Sequence, residues 1–379
     1  MIPSPTRRAT LAVLGLALAP LAACAPASSA HGLTVVATTT QICDYVTQIA
    51  AASNDLSLDK TDASGAQSHV GAAPDSAALT MSLTCLLAPN ASAHEHEMTP
   101  SQAAALANAD VMAVSGVDLE HFLDDAVTSS GFHGRMVVTS GVLTAADIDN
   151  PGVSDPEGAY TIDRGNERVD VAPWPFPPEE AGEEPEFRYD PHVWTSPKGA
   201  RIQVANLGAG LAAAAPDAAS SINAATASYL EELDALDQWS AEAIETVPEG
   251  QRVLFTSHDA FGYFSRDYGI SFIGAALSDF NDQQDATADH IASAVQAVKD
   301  SGAVALFAEN SNNSKSIEAI ARGAGVTPIV GDDALYGDSL GPDGSEGATY
   351  VGSIIHNVRA VTQAWGGTVP QLPERLKDQ

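Results

Sequence analysis

Short apolar strand-like segments alternate with helical segments along this chain, in two separate series. In the first series, residues 33–40 (LTVVATTT) and 111–116 (VMAVSG) have the β-branched or apolar character of buried strands. The second series begins at residue 252 with RVLFTS and closes with a helical pattern over 349–365. Strands that alternate with helices predict an α/β fold built on parallel sheets.

One long helical pattern, over residues 217–247, lies between the two series. Its apolar residues recur at roughly helical spacing: Ile222, Tyr229, Leu233, Leu236, Trp239 and Ile244. A helix of this length would extend for about 45 Å and could bridge two lobes. We therefore predict two Rossmann-like lobes, at residues 33–200 and 248–379, each a parallel sheet flanked by helices. One long rigid helix within residues 201–247 is expected to join them.

Two polar segments interrupt the first series. Residues 53–77 contain Gly, Ser, Asn, Asp and Pro and are predicted to form a loop insertion. Residues 147–190 contain Pro and Gly throughout, with eleven acidic residues against three arginines in the part 151–190. This composition predicts an acidic surface loop rather than core.

The beginning of the chain has the pattern of an export signal. Arg7 and Arg8 precede an apolar run that is too short to span a bilayer as a stable helix. The run ends in LAAC, which resembles a bacterial lipobox. We expect residues 1–23 to be a signal peptide and Cys24 to be lipidated, so that residues 24–32 tether the protein to the membrane surface. The alternative is a plain secretory signal.

Charge and cysteine content limit the kinds of partner that the protein can bind and the compartment in which it works. The formal net charge is −32, from 49 acidic and 17 basic residues, which excludes a nucleic-acid partner because phosphate binding requires a basic face. The two cysteines after the signal, Cys43 and Cys85, lie in a predicted helix and a predicted strand that should pack together. An exported compartment permits a disulfide between them, and two buried free thiols are the alternative.

Three of the ten histidines share one kind of position, in a loop or at the end of an element beside a predicted strand. They are His94 in APNASAHEHEMTP, His192 in DPHVW, and His258 directly after RVLFTS. Carboxylates follow a fourth predicted strand, at Asp332, Asp333 and Asp338. Ligand sites in open α/β sheets form beyond the carboxyl ends of strands, and zinc prefers imidazole and carboxylate ligands. These residues are therefore candidates for a metal site.

Four segments resemble, in the same order, those of the zinc/manganese solute-binding proteins of bacterial ABC importers. They are APNASAHEHEMTPSQAAALANADVMAVSGVDLE, YDPHVWTSP, VLFTSHDAFGYFSRDYGI and ALYGDSLGPDGSEGATYVGSIIHNV. Transferred position by position, the resemblance implies four metal ligands in a cleft between the lobes: His94, His192, His258 and Asp338. It also implies that the protein is not an enzyme.

The chain departs from the family pattern at two places. The segment before His94 reads NASA where Gly-x-Asp-Pro is usual, and His96 stands nearby as a rival ligand. Zinc members of the family often carry a His-rich acidic loop, whereas the 147–190 insertion is acidic without histidine. Glu309, at the end of a predicted strand, is a candidate to orient a ligand histidine, and the alternative is a surface carboxylate.

The resemblance implies an extracytoplasmic protein that captures Zn²⁺ and delivers it to the membrane permease of an ABC importer. In this family a histidine at position 258 accompanies zinc and a glutamate accompanies manganese, and three imidazoles with one carboxylate suit zinc. Manganese or iron is the alternative cargo. A zinc hydrolase and a surface adhesin are functions of a different class, although no H-E-x-x-H sequence supports the hydrolase. We expect a monomer whose long helix limits hinge opening, with release by motion of the segment around Asp338.

Overall fold

Two sheets of mostly parallel strands organise the chain. The computed structural model describes residues 1, 32–94, 96–150, 158–174, 187–276 and 288–377. From Gly32 onward the chain forms one compact unit. The expected lipidation site, Cys24, and nearly all of the predicted signal and tether lie outside the described residues.

The first sheet contains seven strands. In chain order they are β1 (Leu33–Ala37), β2 (Leu56–Thr61), β3 (Gln67–Gly71), β4 (Leu79–Cys85), β5 (Val111–Val114), β6 (Arg135–Val138) and β7 (Thr161–Asp163). Their spatial order is β3-β2-β4-β1-β5-β6-β7. Neighbouring strands run parallel except for β2 and β3, which are antiparallel.

The second sheet is smaller and entirely parallel. Its strands are β8 (Val253–Thr256), β9 (Ser271–Ala275), β10 (Ala305–Phe307) and β11 (Thr327–Ile329). They lie in the order β11-β10-β8-β9. The carboxyl ends of parallel strands meet at one edge of a sheet, so the loops that follow β8, β10 and β11 converge there.

Helices alternate with these strands as the sequence predicts. They are α1 (Thr40–Ala51), α2 (Pro100–Ala107), α3 (Leu123–Ser130), α4 (Ala145–Asp149), α5 (Pro197–Ala214), α6 (Ala219–Glu245), α7 (Gly262–Tyr268), α8 (Ala288–Ser301), α9 (Lys315–Ala324) and α10 (Tyr350–Ala364). At the start of α2, Thr99 and Gln102 form a reciprocal capping box, with Pro100 at the first helical position. Among the described helices, none combines the length and apolarity that crossing a membrane requires. The prediction of an α/β fold is confirmed.

Helix α6 packs against both halves of the fold. It contacts α1 and α5 beside the seven-stranded sheet, and α7 and α10 beside the four-stranded sheet. The predicted apolar stripe is buried throughout its length, from Ile222 to Ile244. A single apolar core includes β1 residues such as Val35 together with β8 residues such as Leu254. The two sheets are therefore connected by packed side chains as well as by the polypeptide backbone.

The prediction that residues 53–77 form a loop insertion is wrong. This segment contains β2 and β3, and β2 lies inside the sheet between β3 and β4. Leu56 and Leu58 are fully buried, while the rest of the hairpin is mostly exposed. Two apolar residues are too few for a visible alternation, and the polar residues of the edge strand and the turn dominate the composition.

The prediction that residues 147–190 are only a surface loop is also wrong in part. The segment contributes β7, which pairs in parallel with β6 at the edge of the sheet. A three-residue strand is too short to produce a periodic signal. Further along, Pro173 and Tyr189 form an antiparallel bridge. Residues 171–174 and 187–190, which we call the two arms, therefore lie side by side.

Gly199, near the start of α5, allows the helix to lie against the turn that follows His192. A Cβ atom on Gly199 would lie 1.9 Å from the Val193 carbonyl oxygen. We expect Gly199→Ala to lower the free energy of unfolding by about 1–3 kcal/mol, because backbone must shift to relieve the overlap. Urea denaturation measures this change. Gly250→Ala is the matched control, since a Cβ there has open space, and equal destabilisation by both variants would contradict the prediction.

Candidate metal centre

The four side chains that the family resemblance implies come together where the two sheets meet. His94 lies between β4 and α2, and His192 begins the single turn of 3-10 helix before α5. His258 lies two residues beyond the end of β8, and Asp338 lies between β11 and α10. One atom from each side chain lies within 4.8 Å of the others, and all four residues are buried.

The distances between the donor atoms suit a small cation. The Nε2 atom of His192 is 3.1 Å from that of His94 and 3.3 Å from that of His258. The Asp338 carboxylate oxygens lie 3.5 Å, 3.5 Å and 3.6 Å from the Nε2 atoms of His94, His192 and His258. A tetrahedron with bonds of zinc–nitrogen and zinc–oxygen length has edges of about 3.3–3.6 Å. These five separations are therefore close to those between donor atoms in a tetrahedral coordination shell.

The protonation states of His94, His258 and Asp338 favour metal binding. Burial lowers the pKa of His94 well below its ordinary value and the pKa of His258 to about 4. Both imidazoles are therefore neutral at pH 7, the form that donates a lone pair to a metal ion. Burial acts to raise the pKa of Asp338, but the nearby imidazoles outweigh it and lower that pKa. Asp338 is consequently an ionised carboxylate.

Asp190 orients the His192 ring. Its Oδ1 atom lies 2.8 Å from His192 Nδ1 and accepts the His192 backbone N–H at 3.0 Å. A proton held on Nδ1 leaves Nε2 free to face the other donors. Burial acts to lower the pKa of His192, but this hydrogen bond and the negative charges of Asp190, Asp338 and Asp259 together outweigh it and raise that pKa. The sequence analysis missed Asp190, although its place two residues before a candidate ligand could have indicated it.

Two carboxylates surround His258. Glu309 Oε1 accepts the backbone N–H of His258 at 2.9 Å, so Glu309 supports the backbone at this candidate ligand. Asp259 places Oδ1 3.2 Å from His258 Nδ1. Burial raises the pKa of Asp259 to about 8. Asp259, the next residue along the chain, was also missed by the sequence analysis.

Side chains from α1 and from the loop after β4, both beside the seven-stranded sheet, hold the Asp338 segment in place. Gln41 donates to the Asp338 carbonyl oxygen at 3.0 Å, and Thr40 accepts the Leu340 backbone N–H at 2.9 Å. Ser92 donates to Asp338 Oδ2 at 2.9 Å. Ser92 belongs to the altered NASA loop, so this departure from the family pattern supplies a hydrogen bond to the candidate ligand.

The rival ligand, His96, does not reach the cluster. Its ring lies against Phe122, with centroids 5.0 Å apart. His96 is also absent from the group of mutually close donor atoms. Asp332 and Asp333 form an exposed turn of 3-10 helix and do not join the cluster either.

A disulfide joins Cys43 in α1 to Cys85 at the end of β4. The two Cα atoms are 5.6 Å apart, within the usual range for a disulfide. The bond connects two segments next to the cluster: α1 carries Gln41 and Thr40, and β4 leads into the His94 loop. The disulfide therefore connects the segments that support two candidate ligands, Asp338 and His94.

Comparison with known proteins finds a family model that matches most of the chain. The model is described as zinc-uptake complex component A, periplasmic, and it matches residues 35–364. The matched stretch includes all four clustered side chains.

Several curated proteins are similar in sequence. The manganese-binding lipoprotein MntA of Bacillus subtilis is 28% identical over 285 residues, which are 74% of this chain and 82% of that protein. The zinc-binding protein TroA of Treponema pallidum is 32% identical over 184 residues, or 47% of this chain and 58% of that protein. The iron ABC transporter substrate-binding lipoprotein MtsA of Streptococcus pyogenes is 24% identical over 273 residues, or 71% and 77%. These names specify three different metals.

Solved structures share the fold. The periplasmic zinc-binding protein TroA of Treponema pallidum superposes with a TM-score of 0.61 at 24% identity, covering 88% of this chain and 99% of that one. The periplasmic metal-binding protein of Candidatus Liberibacter asiaticus gives a TM-score of 0.62 at 17% identity, with the same coverage. At these identities the similarity concerns the fold.

Proposed function

Because the chain belongs to the family described as zinc-uptake complex component A, whose members are metal-binding substrate-binding proteins of ABC transporters and not enzymes, we propose that its cargo is Zn²⁺. The ligands in this proposal are His94, His192, His258 and Asp338. The observation that carries it is the set of four buried donors with tetrahedral spacing. Zinc is the metal for which such a shell of nitrogen and carboxylate donors is typical.

The choice of zinc over manganese rests on the donor atoms. Relatives are named for both metals, so the names do not decide between them. Manganese prefers oxygen-rich coordination with more ligands, whereas three imidazoles bind zinc more tightly than manganese. A His258 imidazole in place of a carboxylate therefore favours zinc. Four protein ligands would also leave no open position for a reactive water, which a zinc hydrolase requires.

The remaining parts of the proposal concern place and partner. The protein would work outside the cytoplasm, anchored as a monomer through lipidated Cys24, and would deliver the ion to an ABC importer permease. Relatives named as lipoproteins of metal ABC transporters support this. The lobes would comprise residues 33–200 and 248–379, with the helices of 201–247 between them. Because α6 packs on both halves, release would use local motion around Asp338 rather than wide domain opening.

Metal analysis tests the choice of cargo. Protein purified without chelator or added metal is expected to contain zinc at close to one ion per chain. In competition titrations, zinc should bind more tightly than manganese by several orders of magnitude. Zinc at 100 times its Kd should add about 2.7 kcal/mol to the free energy of unfolding, because it binds only the folded chain. Equal or tighter binding of manganese would contradict the proposal.

A further inference from the structure

The clustered side chains are closed off from solvent. Of their side-chain surface, only 1% is exposed for His94, His258 and Asp338, and none for His192. A metal ion that enters or leaves must therefore displace some covering group. Protein interiors are close-packed, so such passage requires a side chain or segment to move.

Phe187 contacts both a clustered side chain and an exposed residue. Its ring centroid is 5.6 Å from that of the buried His94 and 5.3 Å from that of His121. Phe187 is only 3% exposed, whereas His121 is exposed. Among the described residues, Phe187 therefore connects the exposed His121 to the buried His94.

A small hollow adjoins the outer end of this path. It has a volume of about 240 Å³ and is lined in part by His121, Asp118 and Asp124. Carboxylates in a surface concavity raise the local concentration of cations. Because His121 belongs both to this hollow and to the stack on Phe187, an ion drawn into the hollow is one aromatic ring away from His94.

Trp174 packs behind Phe187, with ring centroids 5.7 Å apart, and lies 6.0 Å from the His192 ring. Trp174 is only partly buried. Trp194 also lies against His192, but its indole N–H donates to the Gly337 carbonyl oxygen and it is 3% exposed. Trp194 is thus held against the cluster by a hydrogen bond, whereas the more exposed Trp174 contacts both Phe187 and His192.

The backbone beside Phe187 is held in place. In the two arms, the Trp174 N–H donates to the Arg188 carbonyl oxygen at 3.1 Å. Asp149 binds both the Arg188 guanidinium and the Tyr189 hydroxyl. These contacts do not involve the Phe187 side chain, so a rotation of its ring would leave the pairing of the arms intact.

From these contacts we propose that Phe187, supported by Trp174, is a gate that controls access from the His121 hollow to the four clustered side chains. The inference rests on the proposed function, in which those side chains bind the cargo. The gate touches no coordination bond, so it sets the rates at which the ion enters and leaves more than the affinity. Lids and loops govern such steps in many proteins that enclose their ligands.

Chemical labelling tests access without any metal. Diethyl pyrocarbonate modifies neutral imidazole, and peptide mass spectrometry reports the rate at each histidine. In metal-free protein, Phe187→Ala should raise the labelling rate of His94 by about tenfold, because the barrier ring is gone. Phe187→Leu should give a smaller rise. The rate at the exposed His133, which is remote from Phe187 in the chain and has no ring contact with it, serves as an internal reference. Phe272→Ala, which removes a ring from β9, controls for general loosening.

Stopped-flow mixing tests the consequence for the cargo. With a fluorescent chelator as competitor, Phe187→Ala should raise both the association and dissociation rates of Zn²⁺ by about tenfold, with a much smaller change in Kd. Unchanged His94 labelling and unchanged zinc rates in Phe187→Ala would overturn the gate. If the wild-type protein binds neither zinc nor manganese but Phe187→Ala still accelerates His94 labelling, the proposed function fails and the access barrier stands.

Discussion

Replacing His192 by alanine is expected to weaken zinc binding by more than roughly 100-fold. Loss of an outer partner of a metal ligand alone costs 10–100-fold, and His192 is at the centre of the cluster, 3.1 Å and 3.3 Å from the other two Nε2 atoms. Removing it would leave a three-donor shell and a buried Asp190 without its imidazole partner. Competition titration with a zinc chelator of known affinity measures the change, and circular dichroism verifies the fold.

His290→Ala is the control for this experiment. His290 lies on α8, where its Nε2 atom is 3.3 Å from the Ala275 carbonyl oxygen, and it does not belong to the cluster. Its loss should leave zinc affinity unchanged. If both variants lost affinity equally, zinc would not be bound by the cluster and the ligand assignment would be wrong.

Removing the disulfide is expected to cause the second large effect. The bond joins residues 42 positions apart, and the loop-closure relation assigns about 4 kcal/mol to a link of that length. The Cys43→Ser/Cys85→Ser variant should therefore lose about that much free energy of unfolding, as measured by urea denaturation. Part of the loss should appear at the cluster, because α1 carries the hydrogen bonds to the Asp338 segment.

Reduced wild-type protein provides an independent comparison. In dithiothreitol it should denature at the same urea concentration as the double variant in buffer, since both lack the link. If removal of the disulfide changed the free energy of unfolding by less than about 1 kcal/mol, the prediction would be wrong. The unfolded chain would then gain little conformational freedom when the bond is absent.

Long and strongly patterned elements were predictable from the sequence. The helical pattern over 217–247 predicted α6 to within two residues at either end, and Thr99 and Pro100 have the chemistry of a helix start where α2 begins. Such features depend on local chemistry, namely helical spacing and capping, and therefore survive without knowledge of the fold. Strands β2, β3 and β7 were missed because they are short or carry few apolar residues, and sheet pairing decides their conformation.

The candidate site, too, was predictable from the sequence only in part. Motifs placed His192 and His258 at the ends of elements, and the resemblance implied His94 and Asp338 with them. No local feature separated His94 from His96, two residues away. That choice depends on packing, because His96 lies against Phe122 while His94 turns toward His192. The replacement of the usual Gly by Asn in the loop before His94 is visible in the sequence. The hydrogen bond from Ser92 to Asp338 is visible only in the structure.

By itself, the sequence determined the α/β alternation, the long central helix, the acidic charge and the residue types available to hold a metal ion. Tertiary structure decided which of those residues meet, with separations of 3.1–3.6 Å between donor atoms drawn from segments as distant as His94 and Asp338. It also decided that Asp190 orients the His192 ring and that Phe187 lies against His94. The physical reason is that coordination and access depend on distances across the fold, whereas sequence patterns report only the neighbours along the chain.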